Sequence, residues 1–235
     1  MTTRQPRALL FDVDGTLVDS GGAGKAALAE AMRRVYGDAG DIDAFDFHGR
    51  TDPAIVRGLL RERGRTDPWI EARFPTLWRE YYAALDRELA AREAKVTPLA
   101  GVAALFERLA AEEGRFLSGL VTGNMERGAW SKLRAASLDG HFGFGAFGSD
   151  SERRGDLPAL ALRRAGKRFG LRLRPAEAVV IGDTPEDIRC ARAGGTRVLA
   201  VATGRHGPAE LRAHRPDAVV EDLSDTDAVL RILSE

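Results

Sequence analysis

Cysteine is almost missing from this chain. Cys190 is the single one in 235 residues, so an internal disulfide framework and a cysteine-built zinc site are both excluded. Net charge is missing as well: 35 Lys+Arg stand against 35 Asp+Glu. That balance argues against nucleic acid or an anionic membrane as partner, because both are held by an excess of positive charge. No apolar run approaches the roughly 20 residues a membrane helix needs. The basic and then apolar start, Met1 to Leu17, has the texture of a secretory leader. Asp12 and Asp14 interrupt its apolar part, however, and an Ala-x-Ala-like cleavage site is lacking. The expectation is a soluble, cytoplasmic protein, either monomer or homodimer. Lysine is scarce too, occurring only as Lys25, Lys95, Lys132 and Lys167, so a catalytic lysine has few places to come from. What is present in quantity is ordinary: 44% hydrophobic and 30% charged residues fill the core of one large domain or two modest ones.

The run Ala8-Leu9-Leu10-Phe11-Asp12-Val13 ends at the turn dipeptide Asp14-Gly15 and reads as a buried strand. From about Gly24 to Ala94 the spacing becomes helical. Leu28, Met32 and Val35 share one face, and Ile55, Val56, Leu59 and Leu60 another, with Asp52 as expected N-cap and Pro53 at the first helical position. Trp69 to Leu89 predicts further helix, broken near Pro75; its aromatics, Trp69, Phe74, Trp78, Tyr81 and Tyr82, recur at helical spacing and default to core packing. After Thr97-Pro98 strands and helices alternate. Strands are predicted over 116–121, 145–148, 178–181, 197–201 and 218–220, and helices around Leu105, around Trp130 and over 157–169. Such alternation implies right-handed crossovers and a parallel sheet. The predicted fold is α/β: a Rossmann-like parallel-sheet core from residues 1–17 and 97–235, with an inserted all-helical cap domain over 18–96.

In an open parallel sheet, ligands bind beyond the carboxyl ends of the strands. The first strand is followed by Asp12, Asp14, Gly15 and Thr16; the second by Thr122, Gly123 and Asn124; the fourth by Gly182, Asp183, Thr184 and Asp187. These sets converge on one edge and bring four carboxylates together. Like charges that close would force some to protonate. A hard divalent cation resolves the conflict, and Mg²⁺ suits an all-oxygen site that also takes a substrate phosphate. Residues 12 and 14 of an extended strand point to one side, so one carboxylate can attack while its neighbour moves a proton.

The stretch Phe11-Asp12-Val13-Asp14-Gly15-Thr16-Leu17-Val18-Asp19-Ser20 resembles the DxDGTLxDS opening of the haloacid-dehalogenase (HAD) superfamily. Val121-Thr122-Gly123-Asn124 resembles its second motif, and Gly182-Asp183-Thr184-Pro185-Glu186-Asp187 its fourth, GDxxxD. The helical insert is similar to the cap of the phosphoglycolate-phosphatase-like and β-phosphoglucomutase-like branch. The resemblance implies Mg²⁺-dependent hydrolysis of a small phosphorylated metabolite. In it Asp12 is the nucleophile that forms an aspartyl-phosphate, and Asp14 the acid and then base. Asp12, Asp14 (through its carbonyl), Asp183 and Asp187 hold or support the metal. Thr122 and the amides of Gly123 and Asn124 grip phosphoryl oxygens. The dehalogenase branch lacks a carboxylate at the position of Asp14, so the resemblance points to phosphoryl chemistry.

The family's third motif supplies a lysine between the second and fourth, often as Lys-Pro, and no Lys-Pro occurs here. Lys132 follows Thr122 too soon, and Lys167 lies inside a helix. The role is assigned to Arg154, with Arg153 as the alternative, because a guanidinium can bridge phosphate and Asp12 with fixed charge. In the insert, Phe47-His48-Gly49-Arg50-Thr51-Asp52-Pro53 precedes a helix, and Arg50 is the expected substrate contact. Asn124 reads either as a helix N-cap or as a substrate contact. Asp187 reads as both capping-box member and metal support, directly or through water. Cys190 reads as a small buried apolar residue. A phosphomutase of the β-phosphoglucomutase kind is the rival activity. A non-catalytic regulator binding a phosphorylated ligand is the rival of another class.

Overall fold

The computed structural model describes residues 5–91 and 96–235; residues 92–95 of the predicted insert lie outside the described residues. The chain opens with β1 (Arg7–Phe11) and a two-residue strand β2 (Val18–Asp19). It then builds four consecutive helices, α1 (Ala23–Tyr36), α2 (Asp52–Arg61), α3 (Asp67–Glu71) and α4 (Phe74–Ala91). A second two-residue strand, β3 (Thr97–Pro98), pairs antiparallel with β2, so the two crossings between sheet and cap lie side by side. Alternation follows: α5 (Val102–Ala111), β4 (Phe116–Thr122), α6 (Glu126–Ala135), β5 (Phe144–Phe147), α7 (Leu157–Phe169), β6 (Ala178–Gly182), α8 (Pro185–Gly194) and β7 (Arg197–Val201). The chain closes with α9 (Pro208–Ala213), β8 (Ala218–Val220) and α10 (Thr226–Ser234).

The main sheet has the order β5-β4-β1-β6-β7-β8, and every pairing in it is parallel. Because a strand's side chains alternate between faces, β1 serves two cores. Leu9 and Phe11 pack into one cluster with Val179 and Ile181, while Ala8 and Leu10 join Val180 and Leu162 on the other side. The first cluster runs on into the cap through Leu28, Met32, Leu59, Leu77 and Leu85. Cap and core therefore share apolar packing, which holds the cap over the sheet. Within the cap α1 lies along α4, and Tyr81 is buried at their junction.

Three sequence expectations shift. The N-cap of α2 is Thr51, whose hydroxyl accepts from the Ala54 amide at 3.3 Å; Asp52 is the first helical residue and uses its carboxylate elsewhere. The helical break falls at residues 72–73, and Pro75 sits in the first turn of α4, where its missing N–H costs nothing. The β2–β3 ladder was not predicted, since two residues carry no readable periodicity. What the topology does for chemistry is simple. β1 is central, flanked by β4 and β6, with Phe11 in register with Leu120 and Ile181. The residues just past these three strands are therefore neighbours.

Candidate active site

Asp12 follows the last paired residue of β1, and its amide donates to the Ile181 carbonyl at 2.9 Å. Its side chain is buried. Oδ1 lies 3.1 Å from Arg154 Nη2 but accepts no hydrogen bond of good geometry. Burial pushes the Asp12 carboxyl up to about 6; the Arg154 guanidinium opposes this and the Asp187 charge adds to it. Asp183 follows β6 in the same way. Thr16 Oγ1 donates to its Oδ1 at 2.9 Å. Gly15 and Gly204 give its other oxygen room: a Cβ on either would come within 2.5 and 1.8 Å of Oδ2. Burial, then Asp187 and Asp12, hold the Asp183 carboxyl well above the ordinary carboxylate value.

Asp187 is fixed by the capping box of α8. Its Oδ2 accepts from the Thr184 amide at 3.0 Å and from Thr184 Oγ1 at 2.6 Å, while Oδ1 accepts from Arg154. One carboxylate oxygen each from Asp12, Asp183 and Asp187 lies within 4.8 Å of the others, all three residues being buried. Both Asp187 oxygens already accept hydrogen bonds from the protein, whereas Asp12 Oδ1 accepts none.

Asp14 stands apart from that cluster. Its Oδ2 accepts from Lys132 Nζ at 2.6 Å and from Asn124 Nδ2 at 2.8 Å, and its Oδ1 from Ser20 Oγ at 3.0 Å. Burial works to raise this carboxyl, but the Lys132 charge and the three donated hydrogen bonds outweigh it and hold Asp14 below its ordinary value. Asn124 does not cap α6; Met125 occupies the N-cap position. Both the Asn124 amide, at 3.3 Å, and its Nδ2, at 2.9 Å, donate to the Thr122 hydroxyl. Its amide is thus already engaged, and its side chain links Thr122 to Asp14.

Arg154 begins the short turn leading into α7 and is buried; Arg153 beside it is 87% exposed and pairs with Asp156 at 3.2 Å. Arg154 Nη1 reaches across to the cap, donating to the Gly49 carbonyl at 3.1 Å. Asp52 sends its amide to the Gly123 carbonyl at 2.8 Å and accepts from the Met125 amide at 2.8 Å. Gly123 permits this approach: a Cβ there would lie 2.1 Å from the Arg50 carbonyl oxygen. The Arg50 guanidinium is exposed and lies over the Phe45 ring, 5.4 Å from its centroid, at the wall of a cavity of about 520 Å³ between cap and sheet edge. Asp12, Asp14, Asp183 and Arg154 form the floor of that cavity.

The residue that sequence reasoning set aside is Lys132, buried on α6 with its ammonium in this cavity. Its signal was faint: a lysine on the apolar side of an amphipathic helix. Four carboxylates, Asp12, Asp14, Asp183 and Asp187, thus face two cations, Lys132 and Arg154. The all-oxygen donor set and the unsatisfied Asp12 oxygen fit a hard cation such as Mg²⁺.

A parallel sheet whose central strand delivers an aspartate into a carboxylate cluster, roofed by a helical insert, defines a cap-bearing α/β hydrolase. The HAD-hydrolase-like family model matches residues 153–226. Phosphoglycolate phosphatase of Synechococcus elongatus is 28% identical over 221 residues, covering 93% of this chain and 94% of that protein. Phosphoglycolate phosphatase of Nitrosococcus oceani is 24% identical over 230 residues, covering 97% of each. Among solved structures, a hydrolase from Pseudomonas syringae superposes with a TM-score of 0.70 at 24% identity, covering 98% of this chain and 100% of that one. Residues 153–226 thus match the HAD-hydrolase-like family, the chain is similar over nearly its whole length to phosphoglycolate phosphatases, and its fold is that of the Pseudomonas syringae hydrolase.

Proposed function

We infer that this protein is a Mg²⁺-dependent phosphatase acting on a small phosphate monoester, of which phosphoglycolate is the model. The observation that carries the reading is Asp12: a buried carboxylate with an oxygen free of hydrogen bonds, 3.1 Å from a guanidinium and grouped with Asp183 and Asp187. Asp12, Asp183 and the carbonyl of Asp14 would hold the ion, with Asp187 supporting them. When bound, the ion neutralises the anionic cluster and the incoming phosphate.

The chain's own residues do the rest. Asp12 attacks phosphorus; the bond from phosphorus to the leaving oxygen breaks, and Asp14, which must take up a proton from solvent before attack, passes it to that oxygen. Water then attacks the aspartyl-phosphate, Asp14 takes back a proton, and the Asp12–phosphorus bond breaks to release phosphate. Arg154 neutralises charge between Asp12 and the phosphoryl oxygens, with Thr122 and the Gly123 amide beside it. The cap, read as residues 18–96 over a core of 1–17 and 97–235, excludes bulk water, and Arg50 is its substrate contact. The scarcity of long apolar helices agrees with a cytoplasmic enzyme: among the described residues no helix is long and apolar enough to cross a membrane.

The test is phosphate release from a panel of small phosphorylated metabolites with Mg²⁺. Turnover of a carboxylated or alkyl monoester without added bisphosphate supports hydrolysis. Strict dependence on a sugar bisphosphate with little phosphate released establishes a mutase instead.

A further inference from the structure

Lys132 is 4% exposed and lies on the second turn of α6, far in sequence from the carboxylate it meets. Its Nζ donates to Asp14 Oδ2 and to Asn124 Oδ1, both at 2.6 Å. Asn124 in turn donates to the same Asp14 oxygen at 2.8 Å, which closes a ring of three side chains. The ring is set apart from the Asp12–Asp183–Asp187 cluster, whose own cation is Arg154. The carboxylates are therefore divided between two cations, and each has a separate task.

The cap completes the pocket for this ammonium. Gly24, in the first turn of α1, leaves the space that Nζ occupies: a Cβ there would lie 2.9 Å from Nζ and 3.3 Å from Cε. Tyr81 of α4 borders the same space. An ammonium enclosed in this way, with two short hydrogen bonds to rigid acceptors, has little freedom to rotate. It fixes the carboxylate it touches, and Asp14 is the group that must point one oxygen at the leaving atom.

Resting on the phosphatase reading above, we propose that Lys132 is the positioning residue of the proton-transferring carboxylate: it clamps Asp14 against Asn124 in the orientation that serves the leaving oxygen and the attacking water. It does not grip the phosphate. Gly24 is part of the device, because the cap brings to the clamp a residue without a side chain. Proton transfer by a well-placed carboxylate contributes on the order of 10²–10⁴ in rate, so loosening the clamp lowers kcat without raising KM.

The experiment compares the wild type with Lys132→Met, Lys132→Arg and Gly24→Ala. The substrates are p-nitrophenyl phosphate, whose leaving group departs without a proton, and glycerol phosphate, whose leaving group needs one. For Lys132→Met we expect a burst of about one nitrophenolate per active site, because attack by Asp12 survives. A steady phase slower by about 100-fold should follow, because water attack needs Asp14. Glycerol phosphate should give no burst and a similar or larger loss. Lys132→Arg should recover part of the rate. Gly24→Ala introduces the better helix former. It should melt at or above the wild-type temperature, yet lose several-fold in kcat with no rise in KM, an outcome a merely structural role would not give. If Lys132→Met fails to fold, Gly24→Ala decides alone. A tenfold rise in KM with kcat intact would overturn the proposal and make Lys132 a substrate ligand. Full kcat in both Gly24→Ala and Lys132→Met would also overturn it. An Asp12→Asn enzyme that turns over normally removes the parent reading and this one together; normal Asp12 dependence with an unaffected Lys132→Met removes this one alone.

Discussion

A carboxylate attacks phosphorus only if the repulsion between two anions is cancelled, and at the scale of single residues Arg154 is the group set to do so. It is buried, its Nη2 is shared between Asp12, at 3.1 Å, and Asp187, and its Nη1 donates to the Gly49 carbonyl. Removing it in Arg154→Ala should lower kcat/KM by about 3 kcal/mol, the usual loss for one preorganised charge-stabilising donor. Arg154→Lys should regain part, since the charge returns without the fork. Arg153→Ala should leave steady-state phosphate release unchanged, because its side chain is 87% exposed and bonds only locally. Asp12→Asn should fold and be inactive; a tenth of wild-type turnover would remove Asp12 as nucleophile. Cys190 offers a control in the same region. Its Sγ donates to the Arg154 carbonyl at 3.1 Å, and burial pushes the thiol up to about 12. A disulfide reagent should therefore leave native protein untouched at pH 8 and titrate one thiol after denaturation.

Elements in this fold end where they are needed, and the start of α6 shows how. Its N-cap amide, Met125, is met by the Asp52 carboxylate from the cap, 73 residues away in sequence. Burial raises the Asp52 carboxyl to about 6, partly offset by Lys132 and the Met125 amide. The folded state thus binds this proton more tightly than the unfolded state. The stabilising effect is present below about pH 4 and is lost as pH rises through about 6. Asp52→Asn keeps an acceptor for Met125 without the charge. It should match the wild type in thermal melting at pH 4 and exceed it at pH 8, by about 2–4 °C for each kcal/mol relieved. This element also marks the limit of what sequence could disclose. The alternation that located β1, β4, β6 and β7 is a local pattern, as are the strand-end aspartates Asp12 and Asp183, so both were legible. Asp and Thr are equally good caps on paper, and only a cross-domain amide decides that Thr51 caps α2 while Asp52 turns to α6. Lys132 was set aside as following Thr122 too soon, and its pairing with Asp14 stayed unread for the same reason: the two are 118 residues apart.

For the whole molecule, the decisive quantity is the charge left at the centre. Buried carboxylates in excess of cations should make the metal a stabiliser as well as a cofactor. Mg²⁺ at 100 times its Kd should add about 2.7 kcal/mol to folding stability, visible as a rise in melting temperature that EDTA abolishes along with activity. Ca²⁺ should bind and inhibit, its looser coordination letting a carboxylate ligate in a geometry unsuited to attack. Gly204→Ala should weaken both metal effects at once, because the added methyl displaces Asp183.

Cap and core approach closely at Gly49 and Gly123. A Cβ on Gly123 would strike the Arg50 carbonyl oxygen at 2.1 Å, and one on Gly49 would strike the Glu186 and Thr184 side chains. Phe45 and Phe47 line the cavity without taking part in that contact. A hatch registered by its frame can have its lining exchanged without losing its fit. Change of substrate in such a scaffold is then a matter of wallpaper rather than carpentry.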